Sequence, residues 1–186
     1  MRRRILAALM TLLPALLLSA CGDAGASDAF EELRASMLSG QARLEATVTA
    51  FGEGGSYEEY RLSCVSDAEG SEVETLAPEL IAGVKARIGA GSARIEYEGL
   101  ILDAGEVSEG LSPVTALPML CEAIRGAYVE LAWTEGDESV VSLVPEDGID
   151  VTLRLNGSGL PVSAEFTGGG DGKTLILCGI ESFALN

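Results

Sequence analysis

From Ala42 to Phe51 the chain reads ARLEATVTAF, in which Leu44, Ala46, Val48 and Ala50 alternate with Arg43, Glu45, Thr47 and Thr49. A period of two puts one set of side chains on a dry face and the other on a wet face, the pattern of a half-buried β-strand. The turn-forming stretch GEGGS follows, then YEEYRLSCV with Tyr60, Leu62 and Cys64 on one face, then a second turn at DAEG. GSEVETL, AGVKARI (Val84, Ala86 and Ile88 alternating), SARIEYEG (Ala93, Ile95 and Tyr97) and LILDAG continue the series, with APEL as an irregular link. Beyond residue 126 the period returns: Val129, Leu131 and Trp133 alternate with Glu130, Ala132 and Thr134, and SVVSLV, GIDVTLRL, LPVSAEF and KTLILCGIESFAL read as further strands. NGSG joins two of them as a hairpin.

Two stretches break this period. Phe30, Leu33 and Met37 recur at helical spacing, Asp28 stands where an N-cap belongs with Glu31 three residues on, and Gly40 offers a left-handed stop, which predicts a helix over 29–39. In LSPVTALPMLCEAIRGAY, Ser112 and Pro113 mark a helix start, Pro118 is expected to restart the helix, and Leu117, Leu120, Cys121 and Ile124 make one apolar face closed by Gly126. About nine or ten strands that each bury one face, with only two helices to cover them, predict a sheet that curls around its helices. The expected fold class is α+β: a strongly curved antiparallel sheet, an unclosed β-barrel, with two helical segments over its concave side. No internal repeat appears.

The N-terminus carries a different kind of pattern. Arg2, Arg3 and Arg4 precede an apolar run from Ile5 to Leu18, interrupted only by Thr11 and Pro14, and small residues then lead to Cys21. This is the three-part form of a secretory signal. A spanning helix needs roughly 20 mostly apolar residues, and this run is shorter and holds a proline. The stretch LSAC resembles the bacterial lipobox, whose cysteine is acylated and becomes the new N-terminus. The expected organisation is a signal peptide over 1–20, a lipidated Cys21 with a flexible tether over 21–28, and one domain over 29–186, lipid-anchored to the cell membrane on its extracytoplasmic side.

Charge narrows the partners. Without Arg2, Arg3 and Arg4, nine of the twelve basic residues stand against 29 acidic ones, a formal charge of −20. Nucleic acid and anionic headgroups are poor partners for such a surface, so anchoring is expected to come from acyl chains. With Cys21 committed to lipid, Cys64, Cys121 and Cys178 remain, an odd number. They read either as buried thiols or, in part, as a Cys64–Cys178 bridge between strands.

Catalytic equipment is sparse. There is no histidine, which removes the usual general base and the commonest zinc ligand. The acidic pairs Glu58/Glu59, Asp137/Glu138 and Glu146/Asp147 fall at turns or strand starts and read as solvated surface. GAGSAR places Arg94 where a phosphate-binding fingerprint needs its third glycine, and GGGDGK lacks the spacing of a P-loop. No enzymatic activity, cofactor or metal is expected.

Three stretches together, APELIAGVKARI at 77–88, SPVTALPMLCEAIRG at 112–126 and DVTLRLNGSGLPVSAEF at 150–166, give a chain that resembles the LolA/LolB-like lipoprotein carriers, including the LppX and LprG types and related lipoproteins of spore-forming bacteria. The resemblance implies an unclosed barrel with helices over its mouth and an apolar cavity for acyl chains. It departs in two ways: the soluble carrier of that family has no lipid anchor, and aromatic residues are only 5% of this chain, which bears on how the interior is filled. The expected cavity lining is Leu44, Val48, Leu62, Ile95 and Trp133. The expected function is to bind or shield a lipid or an acylated protein in that cavity; the alternative is docking onto an envelope or spore-coat protein with no ligand cavity.

Overall fold

The computed structural model describes residues 24–89, 92–106, 110–145, 148–168, 170 and 172–186. The signal segment and Cys21 lie outside them. Among the described residues eleven strands form one antiparallel sheet: β1 (Ala42–Phe51), β2 (Tyr57–Ser66), β3 (Ser71–Ala77), β4 (Lys85–Gly89), β5 (Ser92–Tyr97), β6 (Leu100–Glu106), β7 (Tyr128–Glu135), β8 (Glu138–Val144), β9 (Ile149–Leu155), β10 (Pro161–Gly168) and β11 (Thr174–Leu185). Their spatial order is β6-β5-β4-β3-β2-β1-β11-β10-β9-β8-β7, so every neighbour is a sequence neighbour except at the centre, where β1 meets β11. The two ends, β6 and β7, are free edges, and the sheet is curved but unclosed. Register shifts at Glu45/Ala46, Arg61/Leu62 and Val129/Leu131 insert bulges, which bend strands and raise their twist.

Two helices, α1 (Ala24–Ser39) and α2 (Pro113–Gly126), lie against the concave side. α1 starts five residues before the expected position, so Asp28 lies within it rather than capping it. The reason is Ala26, which packs into the core one turn ahead of Phe30, Leu33 and Met37 and extends the same inner stripe. Ala24–Asp28, part of the expected tether 21–28, are thus helical, and residues 21–23 lie outside the described residues. Gly40 follows α1 for want of space: a Cβ there would sit 2.7 Å from the Asn186 carbonyl oxygen, and its φ is not left-handed.

α2 begins as the sequence predicts. The Ser112 hydroxyl accepts from the Thr115 amide, the Thr115 hydroxyl accepts from the Ser112 amide, and Pro113 occupies the first turn. It runs unbroken through Pro118, whose ring is buried; that burial offsets the backbone hydrogen bond a proline cannot make. Leu117, Leu120, Cys121 and Ile124 turn inward and are at most 1% exposed. Each such aliphatic side chain stabilises the fold by about 1.5–3 kcal/mol relative to exposure.

The wet faces of the strands form the convex side, where Arg61 pairs with Glu45 and Glu181, Lys85 with Glu74, and Arg87 with Glu72. In β7 the alternation shifts. The bulge between Val129 and Leu131 sends Ala132 into the core and leaves Leu131 exposed. Trp133, expected inside, leaves the core cluster and its indole N–H donates to Glu135 at 2.9 Å. That bond, with Arg154 at 2.8 Å, holds the Glu135 carboxyl below the usual range.

Candidate functional site

The helices do not cover the whole sheet. Their contacts gather on β1, β2, β3, β7, β8 and β11. One register row crosses the concave face from the centre to the β6 edge: Cys64 opposite Val73, Val73 opposite Ala86, Ala86 opposite Ile95, Ile95 opposite Leu102. Exposure along it climbs from 1% at Cys64 and Val73 to 7% at Ala86, 36% at Ile95 and 65% at Leu102. Tyr97 and its partner Leu100 stand on the same face and are exposed as well. An apolar face of core type thus runs out from under the helices and ends at a strand with an unpaired edge.

Inside the helix-covered part the described residues pack closely. Leu44, Val48 and Leu62 are no more than 2% exposed and pack in one cluster with Phe30, Leu33, Met37, Leu117 and Leu120. Ile95 lies outside that cluster, on the uncovered flank, and Trp133 on the convex side, so the five expected lining residues are not brought together. One apolar space among the described residues is an open cleft of about 520 Å³ on the other side of α2, lined by Met119, Ala123, Val144, Ile149, Val151 and Phe166. A larger cleft of about 710 Å³ gathers Arg43, Arg87 and Arg94 with Asp67, Glu69 and Glu72, and its charges offset one another.

The three described cysteines are free and buried. A Cys64–Cys178 bridge is excluded: β1 lies between β2 and β11, with Cys64 opposite Leu44 and Cys178 opposite Val48. Two strand spacings, about 9.5 Å, exceed the reach of a disulfide. Cys64 instead lies beside Cys121 of α2, close enough for the two thiols to influence each other. Beside them the Ser71 hydroxyl donates to Ser66 at 2.8 Å, and Arg125 donates from Nη1 to Ser66 at 2.9 Å and from Nε to the Met37 carbonyl at 3.1 Å. Arg125 Nη2 is buried without a hydrogen-bond partner among the described residues. Cys178 has apolar surroundings, and burial pushes its thiol up to about 12. Iodoacetamide at pH 8 is expected to leave Cys178 unmodified in the folded protein and to label it fully in urea, as read by peptide mass mapping. Rapid native-state labelling would show that β11 opens.

Sequence reasoning missed Leu100, Ile101 and Leu102 as a surface. Three consecutive exposed apolar residues on a strand were the available signal, since a strand covered on one face alternates.

No protein-family model matches the chain, and no curated protein matches it. Solved structures do. An uncharacterized conserved protein from Thermus thermophilus is 15% identical with a TM-score of 0.50, covering 87% of this chain and 88% of its own. At that identity the likeness is one of fold: the unclosed sheet with helices over its concave side. A LolA superfamily protein from Nitrosomonas europaea aligns at 12% identity and TM-score 0.48, over 87% of this chain and 93% of its own. A chain in the complex of the Clostridioides difficile CwlD amidase with the GerS lipoprotein aligns at 12% identity and TM-score 0.47, over 88% and 96%.

Proposed function

We propose that this protein is a lipid-anchored, extracytoplasmic lipoprotein that acts by docking: an extended segment of a protein partner adds to edge strand β6 and lays its apolar side chains on the uncovered flank. The observation that carries this reading is the rise in exposure along the row from Cys64 to Leu102. A lipid chain needs enclosure on most sides to be shielded, and an open wall gives it one. A partner strand uses both features at once, pairing with the free backbone groups of the edge and filling the apolar wall beside it. Glu96 and Glu98 flank the wall, and the whole chain is strongly acidic, so the favoured segment carries Lys or Arg beside its apolar residues. With no histidine and a packed interior, the protein is read as a binding protein, without catalysis.

A second reading rests on the cleft of about 520 Å³ beside α2, which has room and apolar lining for one acyl chain. A photo-crosslinking amino acid at Leu102 in living cells separates the two. Docking predicts a discrete protein adduct from Leu102 and none from Thr47 on the convex face, and Leu100→Glu in the same chain is expected to abolish the adduct with circular dichroism unchanged. Absence of a protein adduct at Leu102, with lipid retained in native mass spectrometry, would overturn docking in favour of carriage.

A further inference from the structure

We propose that Cys64 and Cys121 are joined by an intramolecular disulfide in the mature protein, a crosslink that staples α2 to β2 at the foot of the uncovered flank. The geometry is specific to this pair. Cys64 points inward from β2 between Leu62 and Ser66, and Cys121 points down from the inner face of α2 between Leu120 and Ile124. The two thiols are neighbours across the helix–sheet interface, which Arg125, one turn beyond Cys121, pins to Ser66, two residues beyond Cys64, at 2.9 Å. Joining them requires the sulfurs to close to about 2 Å, which rotation of the two short side chains must supply.

The surroundings favour the chemistry. Ser66 and Ser71 hydrogen-bond to each other beside the thiols, and the Arg125 guanidinium is fixed there by Ser66 and the Met37 carbonyl. A cation and hydroxyl donors at a thiol stabilise its thiolate, the species that attacks disulfides. Within the pair, the neighbouring Cys64 lowers the Cys121 thiol, with Ser66 and Arg125 acting in the same direction against burial. The neighbouring Cys121 and burial raise Cys64, which keeps its proton.

The oxidant is an external disulfide, either a small molecule or an exported oxidoreductase. While α2 is only loosely seated, with Ser66 and Arg125 already beside it and the oxidant still able to reach it, the Cys121 thiolate attacks one sulfur of that disulfide and expels the other as a thiolate, giving a mixed disulfide. Cys64 loses its proton and attacks the Cys121 sulfur, expelling the second thiolate of the oxidant. The protein loses two protons and two electrons, and the oxidant leaves as two thiols. Once α2 packs, the bond is buried and shielded from further exchange. The closed loop, residues 64–121, contains β3, β4, β5 and β6, so the crosslink fixes both ends of the segment that the helices leave uncovered. It also accounts for the odd count: Cys178, alone among apolar neighbours, stays reduced.

The test uses the full-length protein extracted from cells with N-ethylmaleimide present, then denatured and alkylated with a second reagent for peptide mapping. The expected result is a Cys64–Cys121 linked peptide, with Cys178 carrying only the second label. The same preparation is expected to melt about 5–10 °C higher than after reduction. Three alkylatable thiols in the protein taken from cells, or any bridge that includes Cys178, overturn the proposal. Neither outcome depends on whether a protein docks at β6.

Discussion

Replacing Phe30 by alanine is expected to destabilise the protein by about 3–5 kcal/mol, roughly a fifth or more of the stability of an ordinary domain. The ring is 1% exposed at the middle of the inner stripe of α1, between Ala26, Leu33 and Met37, where the helix meets β7, β8 and α2. An isolated helix of this length is marginal in water, so α1 persists only because that stripe is buried. The ring does a second job. The Arg34 guanidinium lies over it at 4.6 Å from the centroid, and from there donates to the Ile124 carbonyl at 2.8 Å and the Ala127 carbonyl at 2.7 Å. Those acceptors belong to the last turn of α2 and the residue after it, which a helix leaves without internal partners. Truncating Phe30 opens a cavity and removes the surface that holds Arg34 in place, so both helices loosen together. Urea denaturation measures the effect, and Phe30→Leu is expected to recover more than half of it. A loss under about 1 kcal/mol would mean that α1 does not pack as described.

What the sequence made legible follows from the range of each interaction. Strand alternation is local, and it placed β1 and β2 with their faces correctly assigned: Leu44, Val48 and Leu62 are all buried. The start of α2 is local too, written in Ser112 and Pro113. β7 was misread because a bulge adds one residue with no compositional mark in VELAW, and one residue is enough to exchange Ala132 for Leu131 on the inner face. The flank was half legible. Alternation puts Ile95 and Tyr97 on the concave side, but it reports which face a strand would bury and is silent on whether anything arrives to cover it. Two short helices reach from β7 to β3 and no farther in strength, a matter of how far each lies from its neighbours in space. The Cys64–Cys121 contact was invisible for the same reason: 57 positions apart, the residues meet only because α2 returns across β2 after the whole β3–β6 excursion.

Cys21→Ala, placed behind a conventional cleavable secretory signal, is expected to move the protein from the membrane fraction to the released fraction. Without the acyl chains little remains to hold it. Among the described residues no helix is long and apolar enough to cross a membrane. Without residues 1–20 the chain carries a formal charge of −20, which anionic headgroups repel. The apolar flank is one wall a few side chains wide, small beside acyl chains that contribute about 0.8 kcal/mol for each buried CH₂. A high-salt wash is therefore expected to leave the unaltered protein bound, because attachment through acyl chains owes nothing to screened charge. The geometry adds a consequence for docking. From Cys21 to the first residue of α1 the chain spans at most about 11 Å, so an acylated Cys21 would hold the folded body against the bilayer surface. Release by Cys21→Ala should thus also weaken crosslinking from Leu102 if the partner is itself a membrane protein, by loss of effective concentration alone. Persistence of the variant in the membrane fraction, with its signal shown by mass to be removed, would refute lipid anchoring at Cys21.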